Sequence, residues 1–174
     1  MPRPSSSWMK ATRSAGRPDQ TFAAARVLAA LCLFAAFGAC APPAGHGLNT
    51  GLLDDQIGKA IGDPATCVLV ADRASGEVVY QYGADFNCSR PLPACDAPGV
   101  TSAKAALQFA ARPGGRLASC ASTPEGSRQV GWAEGRVRSK TRDLVFSAVM
   151  EGGRALPGHE INARLYDAFQ AAGL

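Results

Sequence analysis

Residues 67–83 read CVLVADRASGEVVYQYG, two runs rich in Val and Tyr joined by the polar link Arg73-Ala74-Ser75-Gly76. β-Branched and aromatic side chains suit a pleated, half-buried surface, and a short polar link containing Gly suits a turn, so the stretch predicts a β-hairpin. Upstream, in NTGLLDDQIGKAIGD, Leu53, Ile57 and Ile61 recur every four residues. With Thr50 available as a cap and Gly62 as a stop, this predicts an amphipathic helix. Downstream, the Ala-rich TSAKAALQFAA predicts a short helix ending before Pro113-Gly114-Gly115. RQVGWAEG and DLVFSAVM predict a second hairpin, with Trp132 and Tyr80 as packing residues on strands. The closing HEINARLYDAFQAAGL places Ile161, Leu165 and Phe169 on one stripe, with Pro157 near its start and Gly173 at its end. Helix, two strands, helix, two or three strands and helix make an α+β domain: a small antiparallel sheet of four to five strands with the N- and C-terminal helices packed on it.

The domain begins at about Leu48, and what precedes it concerns destination. Arg26–Cys40, RVLAALCLFAAFGAC, has a basic flank, an apolar run from Val27 to Ala39 and the small pair Gly38-Ala39 before a Cys. The run is shorter than the roughly 20 residues a spanning helix needs, so an export signal over residues 1–39 is expected. The Cys after small residues resembles the lipobox of bacterial lipoproteins. That resemblance implies a Cys40 acylated (palmitate-type) before cleavage and, with Ala41 rather than Asp beside it, an anchor in the outer membrane facing the periplasm. Phe37 stands where that motif usually has Leu, which leaves ordinary cleavage or an uncleaved anchor open. Residues 40–47 then form the lipidated Cys and a tether whose APPAGHG opposes both helix and sheet.

Five of the 18 basic residues and one of the 14 acids precede Cys40, so the mature part carries 13 of each and is neutral. The overall +4 is therefore no sign of nucleic-acid binding, which needs a clustered basic surface. The run Arg136, Arg138, Lys140, Arg142 reads as a solvated turn. Cys32 leaves with the signal and Cys40 takes the lipid, leaving Cys67, Cys88, Cys95 and Cys120. An even number of thiols in an exported domain predicts two disulfides. Because Cys88 and Cys95 bracket a short Pro-rich loop, the expected pairing is Cys88–Cys95 with Cys67–Cys120. No His lies near these cysteines and no CxxC occurs, so no metal site is expected, and no cofactor.

The element order, with IGDPATCVLVADRASGEVVYQYG, PLPAC before a helix, and VGWAEGRVRSKTRDLVFSAVM before a terminal helix, resembles the penicillin-recognising serine hydrolases, especially class D β-lactamases and related transpeptidases. That family needs a Ser-x-x-Lys pair in which the amine takes the hydroxyl proton. This chain has none. Alignment on Cys95 puts Asp96 at the Ser position and Gly99 at the Lys position; alignment on the helix puts Thr101 at the spacing of Lys104. Thr101 reads most simply as a helix cap. The helical subdomain that supplies the family's second motif is reduced to the Gly/Ser-rich RPGGRLASCASTPEGS, and Lys140-Thr141-Arg142 spells part of the third motif in a turn rather than on a strand. Before VGW stands Thr123-Pro124-Glu125-Gly126-Ser127, without Lys. His46 falls in the tether and His159 in a helix's first turn, while Ser119, Ser122 and Ser127 supply hydroxyls with no triad legible around them.

The resemblance thus implies a truncated, degenerate, non-catalytic binding domain of the cell envelope, for peptidoglycan or an envelope protein. The alternatives are a reduced β-lactamase or transpeptidase using Thr101 and Lys104, and a scaffold lipoprotein that docks a protein partner along a sheet edge.

Acyl chains contribute roughly 0.8 kcal/mol per buried CH₂, so several chains hold a protein on a membrane. Cys40→Ser is expected to leave the protein unprocessed or to release it, read by fractionation and intact mass; matured, membrane-bound Cys40→Ser protein would exclude the lipoprotein expectation.

Overall fold

The computed structural model describes residues 47–174; the expected export signal, Cys40 and the tether as far as His46 lie outside the described residues. The elements are α1 (Thr50–Ile61), β1 (Thr66–Asp72), β2 (Val78–Tyr82), α2 (Asp85–Ser89), β3 (Leu92–Pro93), β4 (Val100–Thr101), α3 (Ala103–Leu107), β5 (Arg116–Ala121), β6 (Gln129–Val137), β7 (Leu144–Gly152) and α4 (Gly158–Ala171). Five strands form one antiparallel sheet in the order β2-β1-β7-β6-β5, and β3 and β4 pair separately. The fold is the expected α+β class, with terminal helices packed on the sheet.

Strand alternation divides the sheet into two faces, and both are covered. Val68, Val70, Ala133, Phe146, Ala148 and Met150 point to a first face, where they pack with Leu53, Ile57 and Ile61 of α1 and Ile161, Leu165 and Phe169 of α4. Cys67, Leu69, Val130, Trp132 and Val149 point to the second, under α2, α3 and β3. This explains why β7 is buried at eight consecutive positions instead of alternating. Gly158 lets α4 start directly on the strands: a Cβ there would lie 2.1 Å from Trp132 O. Its N–H donates to Ser119 Oγ at 2.8 Å.

The α1 cap is Asn49, not Thr50: the Asn49 side chain accepts from Leu52 N at 3.1 Å, and Thr50 is already the first helical residue. Gly62 stops the helix as expected, its N–H donating to Gly58 O. The third strand of the later group is β5, inside the segment read as Gly/Ser-rich. It is an edge strand whose side chains alternate between half-buried and exposed, so it carries little apolar signal.

The disulfides join Cys67 to Cys88 and Cys95 to Cys120, correcting the expected Cys88–Cys95 and Cys67–Cys120 pairing. Three strand spacings, roughly 14 Å, separate β1 from β5, too far for Cys67 to reach Cys120. The Pro-rich segment between Cys88 and Cys95 does not close a loop either. It runs on as β3 and carries Cys95 to the sheet edge, while Cys88 stays on α2 above Cys67.

Non-reducing peptide mapping should therefore recover 67–88 and 95–120 linkages with no free thiol, and reduction should lower stability by about 2–5 kcal/mol per bridge. A recovered 88–95 linkage would contradict the fold.

Candidate functional site

The second face carries the chain's densest polar chemistry, centred on Arg116 at the start of β5. Register puts Arg116 opposite Glu134 of β6, and Glu134 opposite Ser147 of β7, so the three share one row across the sheet. The Arg116 guanidinium forks onto Asp96, with Nε to Oδ2 and Nη2 to Oδ1 both at 2.7 Å, while Nη1 donates to Glu134 Oε1 at 2.5 Å. It also donates to Ala94 O and stacks 5.4 Å from the Trp132 ring. This hydrogen bonding holds the Asp96 carboxyl below its ordinary range, whereas burial pushes Glu134 up despite the guanidinium beside it. Ser147 Oγ, fully buried next to Glu134 in the row, has no hydrogen-bond partner among the described residues.

The loop 94–99 is pinned from three sides: by Arg116, by the Cys95–Cys120 bridge, and by Trp132 Nε1 donating to Pro93 O at 2.8 Å. Cys95 is the one described non-glycine residue with positive φ, at 70°. The bracing offsets that strain and leaves Asp96 through Val100 exposed at the tip.

α3 follows at once. Its cap is Ser102, whose Oγ accepts from Ala105 N at 3.2 Å, not Thr101. Thr101 belongs to β4, and its Oγ1 donates to Ser102 O at 3.5 Å. Lys104 turns the other way, its Nζ 2.5 Å from Asp85 Oδ1 on α2, which depresses the Asp85 pKa. Thr101 and Lys104 are thus near in sequence but engaged with different groups. Ala103 and Ala106 are the buried positions that let this short helix lie close on the sheet, and Ala110 is buried just beyond its end. Between it and the β1–β2 hairpin runs a cleft of about 530 Å³, whose polar lining includes Lys104, Gln108, Gln81 and Arg73.

Of the remaining singled-out residues, Trp132 and Tyr80 are core, Tyr80 OH donating to Asp54 at 2.7 Å. Ser127 Oγ donates to Glu125, His159 is exposed in the first turn of α4, and Lys140-Thr141-Arg142 lies in the turn between β6 and β7. Among the described residues no cluster of three His, Cys, Asp or Glu is placed to hold a metal.

Sequence reasoning missed a second polar hub, Glu151 at the end of β7. Buried at 6% exposure, it accepts from Arg128 Nε and Nη2 at 2.7 and 2.6 Å, from Ser122 Oγ at 2.8 Å and from Arg90 Nη2 at 3.0 Å. These donors hold its pKa at about 2, with Arg128 the largest influence. Ser122 and Arg128 flank the β5–β6 turn and Arg90 follows α2, so only the fold brings these residues to the end of β7, and no sequence spacing signals it.

Because the folded pKa of Glu151 lies below its ordinary 4.5, its contribution is fully present above that value and is lost as pH falls toward about 2. The expected loss is on the order of 2–3 kcal/mol. Urea titrations at pH 6 and pH 2.5 check it: Glu151→Gln should flatten this part of the acid dependence, and an unchanged slope would contradict the assignment.

Comparison with family models, with curated proteins and with solved structures finds no match for this chain, so the reading of the site rests on its own geometry.

Proposed function

We propose that this chain is an exported, lipid-anchored domain of the cell envelope that binds a ligand without turning it over. The carrying observation is the Asp96–Arg116 clamp. In the resemblance to penicillin-recognising enzymes, Asp96 stands where the nucleophilic Ser would and Gly99 where its Lys would. A carboxylate gripped by a guanidinium has no hydroxyl to activate, and with its pKa held down it is a weaker base and nucleophile than a free one. The nearest amine, on Lys104, is drawn to Asp85. Two disulfides fit an oxidising compartment.

The ligand class follows from the cleft beside α3. Gln108 and Gln81 offer amides beside the Lys104–Asp85 pair and the Asp72 carboxylate, a polar lining suited to the amides of peptidoglycan stem peptides. No nucleic acid is involved in this reading, and no metal or cofactor is required.

Co-sedimentation of the purified protein with peptidoglycan sacculi should retain it, and Gln81→Ala with Gln108→Ala should weaken retention several-fold; no retention would favour a protein partner instead. Labelled penicillin should leave no covalent adduct. Ser102→Ala should lower stability by about 1 kcal/mol, as for loss of a cap, and Thr101→Ala by less. An adduct that disappears on changing Thr101 or Lys104 would establish the enzyme.

A further inference from the structure

The end of the sheet that carries the β6–β7 turn is hollow beside α4. β5 starts at Arg116 opposite Glu134, so Gly135, Arg136 and Val137 of β6 run on without a β5 partner. α4 crosses the first face above them, and the space between is an open groove of about 720 Å³. Its exposed apolar surface comes from Leu117 and Tyr166, while beneath Gly135 the nearly buried Phe146 and Phe169 rings, meeting edge to face with centroids 5.4 Å apart, form the floor. A Cβ at Gly135 would sit 3.5 Å from the Phe146 ring, so the missing side chain is what leaves the floor open. Exposed Arg112, Arg136 and Arg138 stand around it, against the carboxylate of Asp167. Glu134 also lines it but is committed to Arg116. Arg138 stacks 4.7 Å from the Tyr166 ring and donates to Tyr166 OH at 3.3 Å, making a cationic, aromatic wall.

This groove lies at the end of the domain where the chain enters. Tyr80, paired with Val70, reaches Asp54 in the N-terminal half of α1, while Gly58 one turn on faces Tyr82, paired with Val68. α1 therefore runs antiparallel to β1, and its N-terminus lies at the end that carries the β6–β7 turn. From Cys40 to Gly47 the chain can span at most about 25 Å.

We infer that this groove binds an anionic, phosphate-bearing phospholipid of the membrane to which the chain is anchored. Guanidinium groups pair with phosphate bidentately, and the exposed Leu117 and Tyr166 side chains meet the glycerol and upper acyl carbons. The volume falls within the range of small-molecule sites, about 300–1,000 Å³. A cationic cluster combined with a lipid anchor is the two-signal arrangement that holds peripheral proteins against anionic surfaces. The inference rests on the anchored reading above for the source of the lipid, but the groove's chemistry can be tested apart from it.

Native mass spectrometry of the full-length protein in mild detergent tests both at once. With phosphatidylglycerol and phosphatidylcholine of identical acyl chains, one phosphatidylglycerol per chain should be retained about tenfold better. Arg136→Gln with Arg138→Gln, both exposed, should lower that retention about tenfold, and Gly135→Leu should lower it by filling the floor, while Gly135→Ala should preserve it. Equal retention of the two lipids, undiminished retention in the double Arg variant, or equally tight binding of glycerol phosphate alone would overturn the inference. The covalent mass in the same spectra reports acylation of Cys40, so an unacylated chain would remove the anchored reading while leaving the groove's lipid preference readable.

Discussion

A sheet buried on both faces needs two covers, and the two here are unequal. The first face has α1 and α4, of 12 and 14 residues, each with a continuous apolar stripe. The second has α2 and α3, of five residues each, and a two-stranded ribbon. Helices that short do not persist on their own propensity, because nucleation consumes most of what so few hydrogen bonds return. Covalent and polar ties therefore hold the second cover. Cys67–Cys88 fastens α2 to β1, Cys95–Cys120 fastens the loop to β5, and Trp132 Nε1 and Arg116 hold the backbone at Pro93 and Ala94.

The buried charges follow the same requirement. Glu134 and Glu151 both lie on the second face; Glu134 takes Arg116 from the neighbouring strand β5, and Glu151 takes Arg90 from the end of α2 and Ser122 and Arg128 from the β5–β6 turn. Glu151 is surrounded by donors on three residues and stays ionised far into acid. Glu134 has one guanidinium, shared with Asp96, and burial dominates. Removing one member of such a buried group leaves the others desolvated without compensation, so these residues are more sensitive to substitution than the exposed pairs Lys59–Asp55 or Arg164–Glu160.

What the sequence made legible follows from how strongly each element repeats. Leu53, Ile57 and Ile61, and Ile161, Leu165 and Phe169, report their helices because one face of each meets a large apolar surface. The hairpins of β1–β2 and β6–β7 announce themselves through β-branched runs. β5 does not, because an edge strand half open to solvent mixes Arg, Ala, Ser and Cys in six residues. Without β5 there was no way to place Cys120 or Arg116, and so neither the disulfide pairing nor the Arg116–Asp96–Glu134 row could be read. The caps shifted by one residue, to Asn49 and to Ser102, because adjacent polar residues compete for the same role and backbone geometry chooses between them.

The polar row on the second face also bears on what kind of protein this is. A site for covalent catalysis needs a nucleophile whose proton can leave to a nearby base, in a place where neither group is already committed. Around loop 94–99 the charged groups are committed to one another: Asp96 to Arg116, Arg116 to Glu134 and the loop backbone, Lys104 to Asp85. Freeing Asp96 or Arg116 for chemistry would release the loop that they anchor to the sheet, so stability and turnover would compete for the same side chains. A binding role makes no such demand. A ligand in the cleft beside α3 would meet Gln81 and Gln108 while the clamp beneath remains closed, which is what the proposed binding role requires.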